Sequence, residues 1–561
     1  MNLGSHLTQR LLRLPPPLTR DVAVDHDLRV PMRDGAVLLA DRWRPRSGGD
    51  GLPTVLLRIP YGRAGMAAGP MVRPLAERGF QVLIQSTRGT FGSGGTFDPM
   101  RGEREDGLDT VDWVIGQPWF GESMVLYGMS YLGFVQWAMA DQLPPQVRAM
   151  IPAVSESALS LEFLREDGFS LETPFGWGVM VAGQERRWAI PRQLLEARRV
   201  RRAMSTLPLG EADVAAMGQR SAYIQDVLAH DADAPRWAQL DHSHRVADVA
   251  VPVSSVGGWY DIALPGQLRD HQALQAAGRQ ARLTVGPWTH TARGVGVTAV
   301  GEALGFGLAH ARGEQPAERA PVRLFVMGEE AWRDFPSWPP PGYTPQRFHL
   351  HPGGVLSTDT PGESAPDGYR YDPADPTPAV GGVRLAVGVK GGRVDNSGLE
   401  ARPDVLTYTT PVLDTDVEVI GEVGAEIWFR SSLAHADVFV RLCDVDAKGR
   451  STNVCDGLVG LTGADRTSRA TVRLWPTAHS FRRGHRIRVQ VSSGAFPRYN
   501  RNPGTGEPRA TATTLRAGNQ EVFHDPEHPS AVLLPVGPVI RRNGSAEREL
   551  DNGLDMSGLD N

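Results

Sequence analysis

Apolar and polar positions along this chain fall into three successive textures. From about residue 25 to 154, short apolar runs alternate with segments of helical spacing. VPMRDGAVLLADRWRP reads as a hairpin, TVLLRIPYGR and FQVLIQSTRG as buried strands, and DTVDWVIGQPW as an intervening helix. Such alternation predicts an α/β sheet with crossovers. From 155 to about 245 the strand pattern stops. Runs such as QERRWAIPRQLLEARRVRRAMSTL have helical spacing and many arginines, the pattern of a helical insertion with a solvated basic face around Arg186 to Arg202. VPVSSVGGWYD and ARLTVGPWTH then restore strand texture, so the first domain resumes after the insertion. Beyond about residue 316 short strands separated by Gly, Pro and Asp turns, from APVRLFVMG to HRIRVQVSSG, carry the signature of an all-β sandwich. The expected division is an α/β domain from 1–154 and 246–315, a helical insertion at 155–245, a β-domain at 316–545, and a polar, acidic tail at 546–561 that does not pack.

The most informative local stretch is MVLYGMSYLGFVQWAMA. Met124 to Tyr127 form an apolar run suited to a buried strand, Tyr131 to Ala140 form an apolar-rich helix, and Ser130 falls at their junction. Gly128 and Gly133 keep that corner uncrowded, and the helix start aims unpaired N–H groups at negative charge developing beside the serine. The motif departs from GxSxG, because its last glycine stands three residues after the serine. In isolation it also fits an ordinary glycine-bearing turn. Two further residues change that reading. Asp261 follows the strand run VPVSSVGGWY, and His290 follows ARLTVGPWT, so both stand just past strand ends that converge on one rim of a parallel sheet. Alone, each would be a solvated loop residue. In the order Ser130, Asp261, His290 they match an α/β-hydrolase triad, in which imidazole takes the serine proton and carboxylate orients the imidazole.

Composition narrows the alternatives. At 561 residues the chain is too long for one core. A net charge of -5 from interspersed acidic and basic residues points away from nucleic acid or an anionic membrane as partner. The N-terminal MNLGSHLTQRLLRLPPPL lacks the continuous apolar core of a signal peptide, and no run approaches the roughly 20 apolar residues of a membrane helix. A soluble, cytoplasmic protein is therefore expected. Its two cysteines, Cys443 and Cys455, flank the turn DAKGR and read as buried free thiols. The chain has no HExxH and no clustered Cys/His ligands, so neither metal nor cofactor is expected; His349 and His351 share a strand face as surface residues. RGTFGSGG, at Arg88 to Gly95, lacks the GK[ST] ending of a nucleotide loop and reads as a turn near the site. Oligomeric state, a homo-oligomer included, is left open.

GMSYLG, GGWYD and GPWTH, with PYGR at Pro60 to Arg63 and RGTFGSGG, resemble the cocaine esterase and X-prolyl dipeptidyl aminopeptidase family, motif by motif and in order. RPDVLTYTTPVL and ADVFVRLCDVDAKGRSTNVCDG resemble that family's β-domain, so the likeness covers nearly the whole chain. It implies an α/β-hydrolase domain with an inserted helical cap and a C-terminal all-β jelly-roll domain. It also implies an oxyanion hole made by the backbone N–H of Tyr131 and the hydroxyl of Tyr61, with Ser130, Asp261 and His290 as the triad. Tyr61 follows the strand run TVLLRIP, and its phenol is a donor at neutral pH, so the residues agree with that assignment.

The implied activity is hydrolysis of a small-molecule carboxylic ester or amide. Relatives acting on α-amino acid esters carry acidic residues just after the triad aspartate, where this chain has Ile262, Ala263 and Leu264. GMSYLG is closer to the esterase branch than to the peptidase branch. An apolar acyl or alcohol group is therefore expected, with Phe163, Phe175, Trp177 and Trp259 as candidate pocket residues, packing within the cap being the competing reading for the first three. Alternatives are an X-prolyl dipeptidyl peptidase, an acyltransferase using the same acyl-enzyme, and a binding protein in which the triad is incidental.

Overall fold

The apolar runs of the first texture assemble because the central strands are buried by helices and by their neighbours. A computed structural model describes residues 3–64, 69–158, 169–186, 189–231, 234–386 and 388–538. Its first sheet contains β1 (Val22–Pro31), β2 (Val37–Pro45), β3 (Thr54–Ile59), β4 (Gln81–Ser86), β5 (Met124–Met129), β6 (Val147–Ala153), β7 (Val253–Tyr260), β8 (Ala281–Thr289), β9 (Val322–Val326) and β10 (Ala331–Phe335). Across the sheet the order is β1-β2-β4-β3-β5-β6-β7-β8-β9-β10. β1 and β2 form the expected hairpin, with Val30 opposite Leu38. The strands from β4 through β9 run parallel to one another, so the carboxyl ends of β3, β5, β7 and β8 open on one rim. β3 and β4 are buried at every position, which explains their unbroken apolar runs.

One expectation is corrected here. APVRLFVMG, expected to open the β-domain, forms β9, which pairs parallel with β8 and is followed by the antiparallel β10. Val322, Leu324 and Val326 are buried while Arg323 and Phe325 are only half-buried. A strand alternating in this way looks the same in sequence at the edge of an α/β sheet as in a sandwich.

Between β6 and β7 the described residues are helical, with helices Glu172–Gly183, Ala189–Ala203, Ala212–Met217 and Ala222–Ala229 joined by short turns. They enclose a small core of their own that includes Leu171, Phe175, Met204, Leu209 and Ile224. From Thr344 onward the described chain is a jelly-roll of thirteen strands. Its apolar interior is continuous with the hydrolase sheet: Trp259, Leu283 and Leu324 share one cluster with Tyr408, Phe429, Leu442 and Val489. The three parts of the chain are also pinned by polar contacts. The Tyr260 hydroxyl donates to the Asn453 carbonyl at 3.3 Å. Arg384 of the β-domain holds Glu172 at the start of the cap helix in a fork, Nη2 to Oε1 being 2.5 Å, with both side chains buried. Breaking a buried pair of that kind would leave one charge uncompensated. Cys443 and Cys455 are buried and unpaired on adjacent strands. Among the described residues no helix is long and apolar enough to cross a membrane. The expected tail at 546–561 lies outside the described residues.

The β-domain also contains a buried acid with a measurable consequence. Asp437 lies in the strand His435–Val445, where among the described residues only the Asn502 amide donates to its carboxyl, at 2.8 Å, and burial pushes that carboxyl up to about 7. A folded-state pKa above the ordinary carboxylate value means that stability is fully present below about pH 4 and is lost as pH rises through about 7. Asp437→Asn keeps an oxygen for Asn502 and removes the ionisation. Its thermal midpoint is expected to exceed wild type by several degrees at pH 8 and to match it near pH 4, as read by calorimetry. Equal midpoints at pH 8 would contradict this assignment.

Candidate active site

Four strands of the parallel block, β3, β5, β7 and β8, each lead at their carboxyl end into one candidate side chain. β5 ends at Met129, the helix Tyr131–Trp137 begins one residue later, and Ser130 between them has φ 58° and ψ −123°. A side chain in that left-handed region is strained by about 1–3 kcal/mol, so the corner persists only because its surroundings enforce it. They do so by close packing. A Cβ on Gly128 would lie 2.3 Å from the Leu132 Cβ, and one on Gly133 would lie 2.4 Å from the Ser155 Cβ. Both glycines of GMSYLG are therefore required by the approach of helix to strand.

Asp261 follows β7 and His290 follows β8, and the fold brings both to Ser130. The Ser130 hydroxyl donates to His290 Nε2 at 2.8 Å, and His290 Nδ1–H donates to Asp261 Oδ2 at 2.6 Å. The other oxygen, Oδ1, accepts the Ala263 backbone N–H at 2.9 Å, so the fully buried carboxylate has both oxygens engaged. The β-domain reaches this point as well: the Trp475 indole donates to the Asp261 carbonyl at 3.1 Å.

Tyr61 stands past the end of β3, beside β5. Its hydroxyl oxygen accepts the Trp177 indole N–H at 2.9 Å, and burial pushes its phenol up to about 12 against the opposing effect of that hydrogen bond. It is therefore a proton donor throughout the neutral range. Its ring meets Tyr131 edge-on, with centroids 6.4 Å apart. Tyr131 opens its helix, so its N–H has no acceptor within that helix. RGTFGSGG forms the turn expected near the site. Arg63 donates to the Phe91 carbonyl at 2.7 Å, and the Phe91 N–H donates to Glu185 of the insertion at 2.9 Å.

Of the three candidate pocket residues that the structure describes, only Trp177 is brought to Tyr61. Phe175 is corrected to a cap-core residue, packed among Leu171, Met204 and Ile224 and 2% exposed. Trp259 is corrected to an inter-domain packing residue, its indole donating to the Phe325 carbonyl at 2.7 Å and its ring lying against Trp338. Phe163 lies outside the described residues. Of the three residues after Asp261, Ala263 and Leu264 are fully buried, and Ile262 alone keeps some surface.

Sequence reasoning missed the support beneath Tyr131. Its hydroxyl donates to Glu103 Oε1 at 2.6 Å and accepts the Met100 N–H at 2.8 Å. Glu103 in turn meets the fully buried Arg58 at 2.9 Å, and burial pushes its carboxyl up against the opposing pull of Arg58. One signal was present. An arginine inside the strand run TVLLRI requires a buried anionic partner, although the sequence does not say which.

Comparison with known proteins agrees in extent and order. Residues 34–292 match the family model of the X-Pro dipeptidyl-peptidases (S15 family), and residues 317–533 match that of the X-Pro dipeptidyl-peptidase C-terminal non-catalytic domain. Among solved structures, an aminopeptidase from a marine sediment Thaumarchaeota archaeon has a TM-score of 0.81 at 21% identity, covering 94% of this chain and 98% of its own. An α-amino acid ester hydrolase has 0.77 at 22% identity, covering 93% and 98%. These two show the shared fold. Cocaine esterase of Rhodococcus sp. (strain MB1 Bresler) is 33% identical over 92% of this chain and 98% of its own length. With that identity spread over both chains, and with both family models matched in sequence order, this chain belongs to the family of cocaine esterase and the S15 X-Pro dipeptidyl-peptidases.

Proposed function

We propose that this protein is a serine hydrolase that cleaves carboxylic esters through an acyl-enzyme on Ser130. The observation that carries the reading is the unbroken hydrogen-bond chain from Ser130 Oγ through His290 to the buried Asp261. His290 Nε2 takes the Ser130 proton as Oγ attacks the ester carbonyl, and Asp261 holds Nδ1–H and stabilises the imidazolium. The Tyr61 hydroxyl and the Tyr131 N–H receive the oxyanion. His290 then gives its proton to the departing alcohol, and water repeats the cycle on the acyl-enzyme. The insertion between β6 and β7 serves as a cap over this rim, an arrangement supported by the Trp177 to Tyr61 contact.

An uncharged acyl group suits the site better than an α-amino acyl group, because Ile262, Ala263 and Leu264 offer no carboxylate for an ammonium. The S15 match favours X-Pro dipeptides as the second substrate class to examine. A panel of 4-nitrophenyl esters, acyl anilides and X-Pro anilides separates the two, alongside a fluorophosphonate probe mapped by mass spectrometry. The expected result is turnover fastest on the esters, with the probe attached to Ser130. A probe adduct at another residue, or X-Pro anilides as the best substrates, would overturn the reading.

A further inference from the structure

We propose that Trp177 is a positioning residue for the oxyanion donor: from the cap, its indole N–H fixes the Tyr61 hydroxyl so that the phenol proton points at the developing oxyanion. The inference rests on the serine-hydrolase reading above and adds to it a role for the cap in the chemical step.

A phenol oxygen carries one proton and accepts up to two hydrogen bonds. Trp177 Nε1–H occupies an acceptor position at 2.9 Å, and among the described residues no acceptor takes the phenol's own proton. Conjugation with the ring leaves the phenol O–H two in-plane orientations, and one of them would aim a lone pair rather than a proton at the oxyanion. The indole removes that freedom, because a proton turned toward Trp177 would meet the indole hydrogen. The donated hydrogen bond also polarises the O–H and strengthens it as a donor.

The indole is itself held between two rings. It stacks on Tyr131 at 6.2 Å and 14°, and meets Tyr223 edge-on at 4.9 Å. One side chain of the cap thus touches both residues that contribute oxyanion donors. The helix carrying it, Glu172–Gly183, is fixed at both ends. Its first residue is clamped by Arg384 of the β-domain, and Gln184, just past its last, donates to the Pro60 carbonyl at 2.9 Å, next to Tyr61. Position of the cap is thereby coupled to the orientation of one hydroxyl.

A double-mutant cycle tests the coupling. Trp177→Phe keeps an aromatic ring against Tyr131 and deletes the N–H. It is expected to lower kcat by about 5- to 30-fold with KM nearly unchanged, equally for 4-nitrophenyl acetate and benzoate. Tyr61→Phe alone is expected to lower kcat by about 10²- to 10³-fold. In that background Trp177→Phe should cost less than about twofold more, because no hydroxyl remains to be oriented. Benzothienylalanine at position 177 has the indole's shape without its N–H. It gives the same readout should the phenylalanine variant loosen the cap, which its thermal midpoint reveals. Equal losses in both Tyr61 backgrounds, a loss confined to the benzoate through KM, or no loss at all would overturn the proposal. An inactive Ser130→Ala variant beside such a result would sink the role of Trp177 alone, whereas turnover by that variant would sink the serine mechanism.

Discussion

Replacing Ser130 with alanine is expected to lower kcat on an aryl ester by about 10⁴- to 10⁶-fold while the protein stays folded. The loss is so large because no other oxygen can take the place of Oγ in the hydrogen-bond chain to His290, and without it the acyl group has nowhere to go. Residual turnover would come from water attacking an ester polarised by the Tyr61 hydroxyl and the Tyr131 N–H. Stability should change little, since alanine at φ 58° is as strained as serine. Ser130→Gly provides a second measure of the same corner. It should be equally inactive yet more stable by about 0.5–1 kcal/mol, because glycine adopts positive φ without penalty. Calorimetry beside kinetics would show strain and activity residing in one residue. Turnover within about 100-fold of wild type in the alanine variant would remove Ser130 from the mechanism.

How much of this site was legible in the sequence depended on how local each signal was. Ser130 was visible because its strand, its turn and its helix are contiguous. Asp261 and His290 were visible because each ends an apolar run, and parallel strands end on one side of a sheet. Tyr61 had a suitable place past β3, but the oxyanion role proposed for it rests on the family likeness. Phe175, for which packing within the cap was the competing reading, and Trp259 could not be told from pocket residues for one shared reason. An aromatic residue in a cap or near Asp261 looks alike whether it faces a pocket or a core, and the partners that decide this, Met204 and Phe325, come from elsewhere in the chain. Glu103 was hidden differently. EREDG at a helix start reads as acids complementing the helix dipole, whereas Glu103 turns inward to Arg58 and the Tyr131 hydroxyl.

The β-domain carries similar information that is not local. Trp475 and Arg384 are unremarkable in their own segments, yet one bonds the Asp261 carbonyl and the other anchors the cap helix. Their positions account for a rim that neither the sheet nor the cap completes alone. A cap of short helices around a small core has little stability of its own. It gains its fixed position from the buried Glu172–Arg384 pair and from the Gln184 bond to Pro60. The β-domain thus reaches both the Asp261 loop and the cap helix through contacts between residues more than 200 positions apart in sequence.

Asp261→Asn is expected to lower kcat by about 10⁴-fold without disturbing the packing. The direction follows from what already surrounds the carboxylate. Oδ1 is held by the Ala263 N–H, so an asparagine keeps its carbonyl oxygen there and turns its NH₂ toward His290 Nδ1. An amide hydrogen facing Nδ1 makes that nitrogen an acceptor, and the ring proton must move to Nε2. Nε2–H then donates to Ser130 Oγ instead of accepting from it, so the base is blocked in its resting state. The imidazolium formed on attack also loses the negative charge that stabilised it. KM should hold close to wild type, because no group that touches the substrate has moved. Nitrogen NMR of the His290 ring would report the exchange of tautomers directly. Asp261→Ala supplies the contrast, since it removes the carboxylate without imposing the wrong tautomer, and it should be no less active than the asparagine variant. An Asp261→Asn enzyme within about tenfold of wild-type kcat, with its proton still on Nδ1, would mean that Asp261 orients nothing.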